Sequence, residues 1–134
     1  MKIKYLMNPN PKYLTKKDPV YKACLLFFKY KLEVIPIIDD VLVGAITPND
    51  IVNFYAKYKT LNVNCGNVMN KKFYSLNKED SLEDASELFS LYGLNYIFIL
   101  NYNHLEGLLL LSDLTHDEDL VNLAYNAISR TNIM

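Results

Sequence analysis

Gly44-Ala45-Ile46-Thr47-Pro48-Asn49-Asp50-Ile51 has a counterpart 63 residues further on, Gly107-Leu108-Leu109-Leu110-Leu111-Ser112-Asp113-Leu114. Both stretches finish an apolar run and place a carboxylate just beyond it. Working backward, the offset becomes 62: Pro19-Val20-Tyr21-Lys22-Ala23 lies over Ser81-Leu82-Glu83-Asp84-Ala85. Leu32, Val34, Ile35, Ile37 and Ile38 then fall on Leu94, Tyr96, Ile97, Ile99 and Leu100, and Leu6-Met7-Asn8 falls on Val68-Met69-Asn70. One extra residue in the second hairpin turn accounts for the change of offset. Agreement of this length marks a duplication, and it divides the chain into a first repeat, 1–60, and a second, 61–134.

Each repeat reads as the same series of elements. A short extended piece (12–14; 73–76) leads to a helix, capped in the first copy by Asp18 with Pro19 at the first helical position. In the second copy Ser81 caps, with Asp84 three residues on imitating a capping box. Val20, Ala23, Phe27 and Tyr30 form one apolar stripe, and Leu82, Ala85, Leu88, Phe89 and Tyr92 its counterpart. Gly93 supplies a left-handed helix stop where the first copy has Lys31. Two apolar strands follow, 34–38 with 42–46 and 96–100 with 105–111, joined by polar turns. A closing helix is predicted from Pro48 to Tyr58, capped by Thr47, and a second, with a looser start, that ends in the stretch Asp119 to Ser129. So small a sheet cannot bury both faces alone. The pattern predicts an α+β fold of two βαββα repeats packed sheet to sheet.

Composition narrows the function. The 134 residues are 51% apolar and 22% charged, a globular profile rather than a disordered one. Lys and Arg number 14 against 15 Asp and Glu, and Arg130 alone is Arg, so clamps for nucleic acid are scarce. No stretch reaches the roughly 18 apolar residues of a membrane helix, and Met1 to Met7 leads into no signal-like run. The expected location is cytoplasmic, with no nucleic-acid or membrane partner. Cys24 and Cys65 read as reduced, inert thiols, Cys24 buried in its helix. His104 and His116 have no ligand cluster around them, so no metal is expected. With four Gly and no P-loop, HExxH or GxSxG pattern, the chain reads as a non-enzyme.

The run Ile35-Pro36-Ile37-Ile38-Asp39, followed by the Gly44 to Ile51 stretch, resembles the signature of CBS domains. Ile97-Phe98-Ile99-Leu100 and the Gly107 to Leu114 stretch are similar to it a second time. The resemblance covers nearly the whole chain. It implies a tandem pair, a Bateman module, whose repeats pack about a pseudo-two-fold axis with clefts between them. Such clefts take adenosine-containing ligands: AMP, ADP, ATP or S-adenosylmethionine, with no cofactor required. It further implies a homodimer that reports ligand state to an effector protein. The family's ribose motif, a Ser or Thr with an Asp three residues on, is matched in full by Thr47 and Asp50. A carboxylate at a helix N-terminus is favoured by the dipole and can accept two vicinal hydroxyls; Asn49 adds a further contact. In the second copy Asp113 matches and Ser112 stands beside it, while Leu110 replaces the hydroxyl residue. By the family pattern Asp50 is joined by Met69, Tyr74 and Tyr96, the tyrosines facing adenine. Asp113 is joined by residues near Met7, Lys12, Val34 and Ile35. Lys12, Lys71 and Lys72 are the nearest cations for phosphate, since Glu33-Val34 and Asn95-Tyr96 occupy the strand positions where phosphate-holding members place Arg, His or Lys.

Plainer readings stand beside these. Asp50 can be half of a capping box, the tyrosines core or interface residues, and the lysines a solvated face. Two functions compete on this evidence: a ligand-sensing module acting chiefly through Thr47 and Asp50, and a degenerate, ligand-free scaffold for dimerisation or protein interaction. Leu110, Phe98 and the acidic patch at 117–119 suit the second.

Overall fold

Short polar side chains fix where the long helices begin. In the computed structural model, which describes residues 1–114, Thr47 caps helix α2 (Pro48–Tyr58). Its Oγ1 accepts from the Asp50 N–H at 3.3 Å while Asp50 Oδ2 accepts from the Thr47 N–H at 2.8 Å. Ser81 and Asp84 form the same reciprocal pair at α4 (Leu82–Tyr92). Helix α1 (Val20–Tyr30) departs from expectation: Pro19 is its N-cap, with no side-chain bond, and Asp18 stands one residue too early. The Asp18 carboxylate instead turns back to accept from the Thr15 N–H at 2.8 Å and its hydroxyl at 3.1 Å. The Thr15 N–H above all, then Lys22, holds this carboxyl below its ordinary pKa. The duplication explains the shift. Pro19 corresponds to Ser81, and Asp18 to Asp80, whose Oδ2 accepts from the Asn77 N–H at 2.8 Å in the same kind of turn.

The strands build two small sheets. β1 (Ile35–Asp39) pairs antiparallel with β2 (Val41–Ile46), Ile35 opposite Ile46, with an irregularity between Ile37 and Ile38. In the other sheet β3 (Ser75–Leu76) runs parallel to β4 (Tyr96–Asn101), which pairs antiparallel with β5 (His104–Leu110). Its irregularity, between Ile99 and Leu100, falls at the position matching the first. The two turns differ as the offset requires. Asp40 alone, at φ 66°, closes the first, whereas Tyr102 and Asn103 at φ 50° and 69° form a two-residue turn of the type that suits strand twist. The first copy's lead-in makes only a single parallel bridge, Leu14 with Ile37. Short helices α3 (Cys65–Val68) and α5 (Leu111–Leu114) and a 3-10 turn at Ile3–Tyr5 complete the described elements. The stretch Asp119 to Ser129, where the second closing helix is expected to end, lies outside the described residues with His116, Arg130 and the 117–119 patch.

Two compact units result among the described residues: Pro11–Phe73, and Met1–Asn10 together with Tyr74–Leu114. These packing units cut across the repeats at 1–60 and 61–134, because each repeat's leading residues join the other. In the Pro11–Phe73 unit, Ile35, Ile37 and Ile46 bury one sheet face beneath Val20 and Ala23 of α1, Ile51 of α2, and Cys65 and Val68 of α3. In the other, Leu82, Ala85 and Phe89 of α4 cover Ile97, Ile99 and Leu109, with Leu114 and Ile3 in the same cluster. Ile3 is held there by its N–H donating to the Asp80 carbonyl at 2.9 Å, and Lys4 N–H donates to the Lys78 carbonyl at 3.1 Å. Hydrogen bonds from Lys2 first, then Lys4, hold the Glu79 carboxyl down at about 2. The sequence stripes are shorter than expected: Tyr30 and Tyr92 end their helices exposed. Of the thiols, Cys65 is the fully buried one, and Cys24 on α1 is only half-buried.

Helix α1 ends on Lys31 in the left-handed conformation (φ 53°, ψ 44°) where α4 ends on Gly93 (φ 62°, ψ 40°). Left-handed backbone costs a residue with a Cβ about 1–2 kcal/mol. A Cβ at Gly93 would meet nothing within 4 Å, so its substitution tests backbone strain alone. Gly93→Ala is expected to lower stability by about 1 kcal/mol, and Lys31→Gly to raise it by up to about 1 kcal/mol, the gain reduced by glycine's larger unfolded entropy. Both are read from urea midpoints at unchanged m.

Candidate functional site at the start of α2

Strand β2 delivers Thr47 to a helix N-terminus: Ala45 and Ile46 are fully buried, so the chain emerges from the core at Thr47 with little freedom. There one carboxylate oxygen, Asp50 Oδ2, accepts from both the Thr47 N–H (2.8 Å) and the Thr47 hydroxyl (2.9 Å). Asp50 Oδ1 takes no hydrogen bond among the described residues. The side chain is half-buried at the start of an eleven-residue helix, where Pro48 has no N–H and the Asp50 and Ile51 N–H groups donate to Thr47. The cap and a binding role therefore do not compete: one oxygen fixes the carboxylate's direction, and the other remains an acceptor for a hydroxyl. Asn49, next in the first turn, is exposed.

The second copy repeats half of this. Asp113 Oδ2 accepts from the Leu110 N–H at 2.8 Å, but Leu110 has no hydroxyl to add. Ser112 is half-buried beside it, on α5.

Each glycine that opens these stretches admits a methionine. A Cβ on Gly44 would stand 2.6 Å from Met69 Sδ and 3.1 Å from the Asn70 carbonyl oxygen. On Gly107 it would stand 2.5 Å from Met7 Sδ and 3.1 Å from the Asn8 carbonyl oxygen. Beside each glycine the backbones lock. Ala45 and Asn70 exchange N–H···O bonds at 3.0 and 2.8 Å, and Leu108 and Asn8 at 2.9 and 2.9 Å. Sequence pairing of Met7 with Met69 contained this signal, but its contact with the glycines was not legible without the fold.

The expected site residues distribute between the units. Thr47, Asn49, Asp50, Met69, Lys12, Val34 and Ile35 belong to Pro11–Phe73; Tyr74, Tyr96, Ser112 and Asp113 belong to the other. Ile35 is a core residue of its sheet, so its backbone rather than its side chain is what it can offer a ligand; Val34 is buried as well. Lys12 Nζ sits 4.1 Å from the Tyr30 ring centre, a cation–π contact that engages it. Tyr74 stacks on Tyr92 with centroids 4.6 Å apart, which covers one face of its ring. Tyr96 packs beside Phe98 at 5.2 Å. Lys71 and Lys72 are exposed. Burial pushes the Cys65 thiol up to about 11, which suits an inert side chain. No cluster of three metal-ligating side chains occurs among the described residues, and no helix among them is long and apolar enough to cross a membrane.

Comparison with known proteins places this geometry. The family model described as CBS domain matches twice, at residues 3–57 and 65–117. YlbB of Bacillus subtilis (strain 168) is 29% identical over 132 residues, covering 96% of this chain and 89% of that protein. Among solved structures, AcuB from Vibrio cholerae superposes with a TM-score of 0.81 at 18% identity, covering 94% of this chain and 96% of that one. CBSX2, determined in complex with AMP, gives 0.77 at 21% identity, with 90% and 98% covered. The CBS domain pair of MJ0100, in complex with 5′-methylthioadenosine and S-adenosylmethionine, gives 0.75 at 19% identity, with 87% and 98% covered.

The capping role of the pair can be measured apart from any ligand. Thr47→Ala is expected to cost about 1 kcal/mol in urea denaturation, as loss of an N-cap does. Asp50→Ala should cost a similar amount, and the double variant less than the two together, because each removes the same bonds.

Proposed function

The chain belongs to the CBS-domain family, and on that premise we propose that it is a regulatory module that binds an adenosine-containing ligand through Asp50. The observation that carries this reading is the divided carboxylate. Oδ2 is fixed by Thr47, while Oδ1 is left as an acceptor at a helix N-terminus. Two ribose hydroxyls present adjacent donors, and a rigidly held carboxylate accepts them without losing side-chain freedom on binding. CBSX2 with AMP and MJ0100 with S-adenosylmethionine and 5′-methylthioadenosine share the adenosine group, which is the part such a carboxylate recognises. AMP, ADP, ATP and S-adenosylmethionine are thus the compounds to try.

Thr47 and Asn49 are the neighbours we assign to the ribose beside Asp50; the family pattern would add Met69, Tyr74 and Tyr96 to it, and would add Lys12, Val34 and Ile35 to Asp113 and Ser112, where Leu110 donates only its backbone N–H. The protein acts without catalysis, as a cytoplasmic homodimer whose ligand shifts the population of conformations read by an effector protein. At the second position the scaffold reading gains support: Leu110 offers no hydroxyl, so that half of the chain can serve interaction rather than ligand binding.

Thermal denaturation of the purified protein with each compound tests the proposal. A ligand binding only the folded state at about 100 times its Kd adds roughly 2.7 kcal/mol, a rise on the order of 10 °C for a domain of this size. One compound should stabilise the wild type, and Asp50→Asn, which keeps an oxygen for the Thr47 N–H, should lose most of that rise. If no compound acts and none co-purifies, the scaffold reading replaces the sensor.

A further inference from the structure

The turn between β1 and β2 and the lead-in before α1 border a groove of about 370 Å³. It lies wholly within the Pro11–Phe73 unit. Strand β2 runs away from it, from Val41 to Ile46, so the groove and Thr47 sit at opposite ends of that strand, roughly 20 Å apart at strand rise. Backbone bonds hold its walls. Ile38 N–H donates to the Leu14 carbonyl at 2.8 Å, and Gly66 N–H donates to the Lys16 carbonyl at 3.0 Å. Lys16 Nζ meets Asp39 Oδ2 at 3.0 Å. Two further lining residues of opposite charge, Lys17 and Asp40, form no ion pair with each other or with any other described residue.

The duplication supplies an internal control. Lys16 and Lys17 correspond to Lys78 and Glu79, and Asn64 and Gly66 to Lys2 and Lys4. The backbone agrees, since Lys4 N–H donates to the Lys78 carbonyl as Gly66 N–H does to that of Lys16. In the second copy the charges close among themselves. Glu79 takes Lys2 at 2.7 Å and Lys4 at 3.0 Å, and Lys78 lies 3.6 Å from Glu106. Its turn, Asn101-Tyr102-Asn103, carries no charge. In the first copy the place of Glu79 is held by the cation Lys17, Asn64 and Gly66 bring no charge, and Asp40 sets a carboxylate in the turn. The fold therefore does not demand an unanswered cation and anion here; the first repeat alone carries them.

We propose that this groove is a ligand site separate from Asp50, and that it takes a small zwitterion with an apolar side chain, the chemistry of an α-amino acid. The ligand carboxylate meets the Lys17 ammonium and the ligand ammonium meets the Asp40 carboxylate, each a charge-assisted contact. A molecule of one sign answers only one of these groups. The Lys16–Asp39 pair is already neutral and favours neither sign. Tyr13, 57% exposed, and the half-buried Ile38 give the ligand side chain an apolar wall. The volume stands near the lower end of small-molecule sites, which suits an amino acid better than a nucleotide. None of these residues belongs to the ribose site, so the assignment stands or falls apart from it.

Amide NMR titration of the full chain with phenylalanine and with leucine tests the assignment, beside phenethylamine and 3-phenylpropionate, which each keep one of the two charges. The amino acids are expected to give saturable shifts confined to residues 13–17 and 38–40, with 47–51 unmoved. Each one-charge probe is expected to bind roughly tenfold more weakly or worse, as loss of one charged contact implies. Lys17→Glu installs the second repeat's residue, and Asp40→Asn keeps a side chain suited to φ 66°. Both are at exposed positions and are expected to abolish the shifts while the spectrum stays that of the folded chain. No saturable shift with either amino acid at millimolar concentration overturns the site, as do shifts that fall only at 47–51 or that survive both variants. Equal binding of 3-phenylpropionate overturns the zwitterion and leaves a site for anions alone.

Discussion

The structure turns on two glycines that let a neighbouring segment approach at backbone distance. Gly44 and Gly107 lack the Cβ that would collide with Met69 and Met7. Through that gap Asn70 and Asn8 exchange hydrogen bonds with Ala45 and Leu108. The consequence is an exchange of material between repeats. Residues that precede the second repeat's strands pack with the first, and the first ten residues pack with the second. Neither repeat owns all of its own unit. A side chain at either glycine would oppose this pairing at the strand that feeds the aspartate motif.

That pairing matters for chemistry because it sits two to three residues ahead of Thr47 and of Leu110. A strand locked on one side and buried through Ile46 presents the start of α2 in a single geometry. The Thr47–Asp50 box then directs the carboxylate. A flexible carboxylate would lose rotamer freedom on binding; one already held by an N–H and a hydroxyl does not. On the proposed reading, the two bonds that stabilise the helix also hold the carboxylate ready for a ligand, so a cap and a binding residue can be one side chain.

Much of this was legible in the sequence. The duplication fixed the order of elements, the Thr47–Asp50 and Ser81–Asp84 boxes, and the extent of α2 from Pro48 to Tyr58. Asp18 misled, because an acidic residue before Pro19 looks like a cap until its carboxylate is seen to serve Thr15. Local pattern could not separate those roles; alignment with Asp80 and Asn77 could have. The exchange of leading segments was illegible for a different reason. It depends on a non-local approach to glycine, and nothing in the residues around Met7 or Met69 states which strand they will meet. Cys24 and Cys65 show the same limit: helix position suggested burial of the first, while core packing buried the second.

The divergence of the copies gives the molecule direction. One copy sets the Thr47 hydroxyl before its aspartate and exposes Tyr21, Leu25 and Phe28 on α1; the other has Leu110 before its aspartate and Glu83, Glu87 and Ser90 at the corresponding positions of α4. The most direct test of the divided carboxylate is an amide NMR titration of the full chain with AMP, with S-adenosylmethionine as the alternative ligand. A ribose held by Asp50 predicts saturable shifts concentrated at Thr47, Asn49, Asp50 and Ile51, weaker at Leu110 to Asp113, and absent from the α2 start in Asp50→Asn. Saturable shifts that spare residues 47–51, or that persist there unchanged in Asp50→Asn, would contradict it.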